Sequence, residues 1–318
     1  MQFDDNRVDT SRVRDQRDGK SGGGGFSMGG GGGGGGMGVA AVGGVLAMLL
    51  RGKGGRGMLG LVLIGALVLG GMTMCSRVSQ NASNNSFSTQ SVEGAGTDLE
   101  TRCNTDGALQ QYPDCLLVKA FNETDEVWSQ EFQRMGVDYR APALTFFDGS
   151  VNTACGQATT AVGPFYCPGD ESIYFDLGFA DQLQQLGVKG DYANIYIMAH
   201  EFGHHLQNIT GIEKQVRQAQ QQNPRQTNQY GVKMELQADC MAGAWGRLAN
   251  DRGNVAVTQD EVKQAMDAAA AVGDDRIQQS AGQRVNPETW THGSAAQRVQ
   301  WYMTGFNSGD INRCNTFA

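Results

Sequence analysis

Three of the four histidines in this chain fall within six residues, His200-Glu201-Phe202-Gly203-His204-His205. Positions i and i+4 of a helix share one face a turn apart, so the imidazoles of His200 and His204 can bind one Zn2+, each at about 2.1 Å. Glu201 then projects beside the metal rather than onto it. There it can take a proton from a water whose pKa the metal lowers towards about 7, and hand that proton to a leaving amine. The chemistry would be metal-assisted hydrolysis of a peptide bond. Two hydrogen-bonded histidines on a core helix would satisfy the same five-residue pattern, so this reading requires a further ligand.

A catalytic zinc takes three protein ligands and leaves the fourth position for water. The segment Glu235-Leu236-Gln237-Ala238-Asp239 offers two carboxylates one turn apart. Glu235 is the expected third ligand. Asp239 is expected to accept the other ring N–H of a ligating histidine, fixing its tautomer and raising its basicity. Asp239 itself and Glu213 are the alternatives for the third ligand. A third histidine from the same helix is excluded, because the longer pattern H-E-x-x-H-x-x-G-x-x-H meets Gln207 and Thr210 at its two diagnostic positions. His205 points about 100° away from His204 around the helix, which suits a packed or hydrogen-bonded histidine better than a ligand.

The remaining histidine, His292, stands in Thr291-His292-Gly293-Ser294-Ala295-Ala296-Gln297-Arg298. Taken alone it reads as a surface residue near a helix start. Peptide hydrolysis at zinc, however, builds an oxyanion that needs a donor opposite the metal, and His292 is the histidine left to supply it, with Tyr230 in reserve. Arg298 is either a surface charge or the partner of a carboxylate near the site.

Hydrophobic periodicity outlines the elements that must position these groups. Acidic residues followed by Val127, Trp128, Phe132 and Met135 predict a helix over 123–135, and residues 143–147 and 172–177 are short β-rich runs. Helices are then predicted over 193–208, 228–249, 259–271 and 295–306, separated by Gly, Pro or polar clusters. The expectation is an α+β domain over residues 97–318, mainly helical with a small sheet. Residues 172–177 are the candidate edge strand, to which an extended substrate would add by main-chain hydrogen bonds; an ordinary core strand is the competing reading.

The segments HEFGHHLQ, MELQADCMAG, YCPGDESIYFDLGF and THGSAAQR together resemble the bacterial neutral zinc metallopeptidase family, the YpfJ-like proteins, over roughly residues 97–318. More distantly the chain resembles the HtpX-like and CAAX prenyl membrane proteases, which share H-E-x-x-H, a later E-x-x-A-D and a T-H-P segment; here Gly293 replaces that Pro. The resemblance implies a zincin-like fold with the active helix beneath a small sheet. It also implies zinc ligation by His200, His204 and Glu235, catalysis by Glu201, and a protein or peptide substrate.

The front of the chain is a different object. Of 46 glycines, 20 lie between Gly19 and Gly57, and residues 1–20 interleave Asp and Arg with few apolar residues. Residues 1–56 are therefore expected to be disordered and cytoplasmic. Residues 57–76 are twenty uncharged residues, long enough at about 1.5 Å per residue to cross a bilayer core of about 30 Å. Arg51, Lys53 and Arg56 crowd its N-terminal flank, which predicts a single-pass span of the bacterial cytoplasmic membrane with residues 97–318 outside the cytoplasm and 77–96 as a polar tether. A cleaved signal peptide and a lipid anchor on Cys75 compete with that reading. The apolar stretch 37–50 is short and suits the interface; if it spans, the basic loop stays cytoplasmic and the body stays outside.

After Val78 acidic residues outnumber basic ones 28 to 16, which argues against a nucleic-acid-binding body. That part also holds six cysteines, an even number suited to an oxidising compartment. Cys103 with Cys115 and Cys155 with Cys167 enclose short loops, and their pairing would leave Cys240 to Cys314; six cysteines allow fifteen connectivities. Two functions fit: a membrane-anchored zinc peptidase, or a non-catalytic, zinc-containing tethered binding or scaffold module. The unliganded Glu201 favours the first, since a structural site has no use for it. Nothing in the sequence fixes the oligomeric state.

Overall fold

The computed structural model describes residues 2–3, 7–17 and 95–318. The first strands are β1 (Gln2–Phe3) and β2 (Val13–Gln16). Helix α1 (Ala95–Cys103) and the single turn α2 (Ala108–Gln111) lead into α3 (Pro113–Met135). Proline suits the first helical position of α3, where an N–H would have no partner, and Gly136 ends the helix at φ 69°. The helix starts ten residues before its predicted beginning because buried charges interrupt its apolar face: Lys119 and Glu123 pair at 2.8 Å inside the protein.

Five strands follow: β3 (Ala143–Phe147), the hairpin β4 (Ser150–Thr153) and β5 (Gly156–Thr159), β6 (Phe165–Cys167) and β7 (Ser172–Asp176). The main sheet runs β2-β3-β7-β6, with β2, β3 and β7 parallel and β6 antiparallel to β7. Strand β7 is thus internal, and the expected edge strand is corrected: the end of the sheet on that side is β6. The sequence misled here because β6 is only three residues long, too short to show an alternation.

The rest of the chain is helical: α4 (Phe179–Gln185), α5 (Tyr192–Ile209), α6 (Ile212–Gln222), α7 (Thr227–Arg252), α8 (Gln259–Ala271), α9 (Asp274–Ser280) and α10 (Ala295–Ser308), with β8 (Val255–Ala256) between α7 and α8. Capping boxes at Thr258/Glu261 and Ser294/Gln297 start α8 and α10. Helix α5 packs on β6 and β7 and against α3, α7 and α8, and α10 lies along α7. Trp128, Tyr196, Trp245 and Tyr302 are buried at these contacts.

Glycines allow close approaches of helices on both sides of α7. A Cβ on Gly203 of α5 would lie 2.9 Å from the Ala238 Cα of α7, and one on Gly305 of α10 would lie 1.8 Å from the Cys240 carbonyl of α7. No larger residue fits without moving backbone. All three anticipated disulfides are present: Cys103–Cys115, Cys155–Cys167 and Cys240–Cys314.

The N-terminal segment differs most from expectation. Residues 7–17, expected to be disordered, belong to the folded body: β2 extends the main sheet in register Val13↔Leu144, and β1 pairs with β8. Val8, Thr10 and Val13 are buried, while Arg12 pairs with Asp125 at 2.5 Å and Arg17 with Asp114 at 2.7 Å. The backbone N–H groups of Val8 and Asp9 donate to Asn104 and Asn122 at 3.0 and 2.7 Å. Charges that look solvated in the sequence have partners more than ninety residues away, so the strand needs no core of its own. The folded unit therefore includes residues 2–3 and 7–17, and its helix α1 begins at Ala95, inside the expected tether.

Residues 18–94, which include the expected span 57–76, the apolar stretch 37–50 and most of the tether, lie outside the described residues. Among the described residues no helix is long and apolar enough to cross a membrane. Residues 7–17 share a sheet with β3, so both ends of residues 18–94 lie on one side of any bilayer. A single crossing by 57–76, with a cytoplasmic N-terminus and the body outside, does not meet that condition.

Candidate metal centre

Helix α5 brings His200 and His204 onto one face, their rings 4.9 Å apart and nearly perpendicular. Helix α7 presents Glu235 to both. His200 Nε2 lies 3.2 Å from Glu235 Oε2 and His204 Nε2 lies 3.5 Å from Glu235 Oε1. One ligand atom from each of the three fits within 4.8 Å of the others, and all three residues are buried. This group could hold a metal ion, and its two imidazoles and one carboxylate are a donor set that suits zinc. His204 Nε2 is buried without a hydrogen-bond partner, although the ring's other nitrogen is engaged.

Each histidine is held from behind. His200 Nδ1 meets Asp239 Oδ1 at 2.8 Å, which sets Nε2 towards Glu235. Tyr196, one turn earlier on α5, donates its hydroxyl to the same Asp239 oxygen at 2.5 Å. Arg298, fully buried on α10, clamps both Asp239 oxygens from Nε and Nη2 at 2.8 Å each. A buried carboxylate is costly unless paired and hydrogen-bonded, and Arg298 supplies that pairing. Of the two readings for Arg298, the buried partner is the one found. His204 Nδ1 meets Gln207 Oε1 at 2.8 Å.

The charges follow from this packing. Burial pulls the His200 imidazolium down, but Asp239 and Glu235 outweigh it and push its pKa up to about 9. Burial raises Glu235, yet His204, His200 and His292 hold it well below the usual carboxylate range. Glu201 is fully buried and neither carboxylate oxygen has a hydrogen-bond partner. Burial pushes its pKa up to about 8, against the pull of His200, while the backbone of Tyr166 on β6 is near enough to hold it partly down.

His292 is buried, with Nδ1 at 2.9 Å from Thr291 Oγ1 and 3.3 Å from Asp274 Oδ1. Burial lowers its pKa, but Asp274 and the nearby Glu235 raise it further. Asp274 is a residue the sequence reading missed: its Oδ2 accepts the backbone N–H groups of Thr291, His292 and Gly293 at 2.8, 2.7 and 3.0 Å. Its only sequence signal is an acidic residue at the start of a short helix. Tyr196 and Gln207 also went unread, although they stand four residues before His200 and three after His204.

The other candidates lie elsewhere. His205 is packed, its Nε2 on the Arg140 carbonyl at 2.6 Å and Nδ1 by the Tyr166 hydroxyl at 3.1 Å. Glu213 pairs with Arg217 on α6 at 2.5 Å. Tyr230 lines a cavity of about 690 Å³ with Ile212, Val216, Met241 and Phe317.

Comparisons with known proteins point to zinc as well. Residues 1–317 match a family described as "Putative neutral zinc metallopeptidase". The chain is 38% identical over 283 residues to "Uncharacterized protein YpfJ" of Escherichia coli (strain K12), an alignment covering 87% of this chain and 91% of that protein. It is 41% identical over 233 residues to "Uncharacterized protein Rv2575" of Mycobacterium tuberculosis (strain H37Rv), covering 70% of this chain and 76% of that one. No solved structure matches.

Proposed function

Because the chain belongs to the neutral zinc metallopeptidase family, we propose that it is a membrane-anchored peptidase working outside the cytoplasm, with Glu201 as its general base. His200, His204 and Glu235 would hold one zinc in a gluzincin-like arrangement. When bound there, zinc polarises a carbonyl and acidifies a water. The observation that carries the reading is Glu201: a fully buried carboxylate with two unpartnered oxygens, next to His200 in sequence and within electrostatic reach of His200 and Glu235. Leaving such a group unmatched costs about 1–3 kcal/mol or more, which a fold does not retain for zinc structure alone.

The other residues divide the work. Glu201 takes and returns the proton. Asp239, neutralised by Arg298, fixes His200 in the tautomer that leaves Nε2 free. His292, steadied by Asp274, donates to the developing oxyanion. The outer edge of β6 carries no further strand among the described residues, and β6 packs on α5, the helix that carries His200 and His204, which favours β6 for pairing with an extended peptide.

Anchoring rests on the apolar run 57–76. Since residue 17 and residue 95 lie on one side, the pairing of β2 with β3 favours an even number of crossings. The stretch 37–50, whose uncharged surroundings reach back to Ser21, supplies the second, with the basic loop 51–56 in the cytoplasm. Three disulfides suit an oxidising exterior. A zinc-holding scaffold without catalysis is the alternative.

The test is cleavage profiling of extracytoplasmic peptides by mass spectrometry, with the full chain metal-stripped and then zinc-restored. Zinc-dependent cuts support the peptidase; zinc binding without cuts favours the scaffold. Glu235→Ala should lose the zinc, and its retention would move the ligand role to Asp239 or Glu213.

A further inference from the structure

His204 has no carboxylate behind it, and what stands there instead is a relay of amides. Gln207 is fully buried. Its Nε2 donates to the Met234 carbonyl at 2.8 Å and to Gln237 Oε1 at 3.1 Å, while its Oε1 faces His204 Nδ1 at 2.8 Å. Gln237 in turn donates from Nε2 to the Cys314 carbonyl at 2.9 Å, in the C-terminal turn Ile311–Cys314 that the Cys240–Cys314 disulfide ties to α7.

Each amide in this relay has one permitted orientation. A carbonyl oxygen only accepts, so the Cys314 carbonyl requires the NH2 end of Gln237, which turns Gln237 Oε1 towards Gln207. That oxygen and the Met234 carbonyl both require the NH2 end of Gln207, which leaves Gln207 Oε1 for His204. An oxygen at Nδ1 requires that Nδ1 carry the hydrogen. The ring's lone pair is then on Nε2, the atom that is buried, unpartnered and turned towards Glu235.

We propose that Gln207 is the positioning residue that locks His204 in its metal-binding tautomer, and that Gln237 and the C-terminal turn form the support behind it. The proposal rests on the zinc reading above. It assigns the two histidines different backing: a charged Asp239 for His200 and a neutral amide for His204. It also makes the last residues of the chain part of the metal centre, at a sequence distance of 110 residues from His204 to Cys314.

The experiment measures zinc affinity of the full chain against a chromophoric chelator, and the imidazole tautomers of the metal-free protein by nitrogen-15 NMR. Wild type should show His204 as the Nδ1–H tautomer. Gln207→Leu should lose that preference and bind zinc about 10- to 100-fold more weakly, the scale of losing a hydrogen bond behind a ligand. Gln207→Glu keeps the acceptor but loses both donated bonds, so it should bind zinc more tightly than Gln207→Leu while melting at a lower temperature than wild type. A merely structural role predicts that affinity follows stability in both variants. An Nε2–H tautomer in wild type, or unchanged affinity in Gln207→Leu, overturns the proposal. Failure of wild type to take up zinc would instead sink the metal reading, and the tautomer would still decide the role of Gln207.

Discussion

Asp274 holds His292 by side chain and backbone together, taking its Nδ1 at 3.3 Å and its N–H at 2.7 Å. The two residues are 18 apart in sequence, yet the carboxylate fixes both the loop and the ring. If His292 donates to the oxyanion, His292→Ala should keep zinc and leave KM nearly unchanged while kcat falls about 10²- to 10³-fold. Asp274→Asn should lower kcat in the same direction by less, because the amide oxygen still accepts backbone N–H groups. Steady-state kinetics on both variants check this, and near-wild-type kcat in His292→Ala turns attention to Tyr230.

The buried charges give the metal-free protein an alkaline weakness. Burial pushes Glu201 up to about 8, and Asp239 and Glu235, overcoming burial, push His200 up to about 9. The unfolded chain releases these protons near about 4.3 and 6.5. Between pH 7 and 9 the folded state therefore binds more protons than the unfolded state, and stability falls as pH rises. His204 and His205, whose pKa values burial lowers, act below that window. Metal-free Tm should drop from pH 7 to 9, and Glu201→Gln should drop less; a flat or rising wild-type curve would refute both shifts.

Residues 7–17 should matter to stability and to topology alike. Burying one Val is worth about 1.5–3 kcal/mol, so Val13→Asp should cost about 2 kcal/mol or more in chemical denaturation. A free N-terminal tail predicts no change. The exposed Ser11, changed to Cys in a Cys75→Ser background, should react with a membrane-impermeant maleimide on intact spheroplasts. Labelling only after permeabilisation would place residues 7–17 inside, and the paired-crossing arrangement would fall.

Much of the site could be read from residue types at short spacing. His200, Glu201 and His204 are fixed by helix geometry alone, and Glu235 and Asp239 by the same rule on a second helix. The five predicted helices and the strands at 143–147 and 172–177 are present because their apolar faces stay local. What could not be read is what depends on distant partners. Gly203 looks interchangeable until Ala238 lies against it, and Asp274 until the 291–293 loop folds over it. The segment 7–17 looks like solvated charge until Asp125 and Asp114 meet Arg12 and Arg17, which flank β2. The edge of the sheet was misassigned because strand order is a property of the assembled sheet and no single run encodes it.

The central claim is that Glu201 acts beside the metal without holding it. The direct measurement takes full-length wild type and Glu201→Gln through zinc loading, and records zinc content and peptide cleavage on the same samples. Both proteins should hold about one zinc per chain, and the variant should cleave about 10²- to 10⁴-fold more slowly, the span for loss of a general base. Loss of zinc from Glu201→Gln, or cleavage at the wild-type rate with zinc in place, would contradict the account.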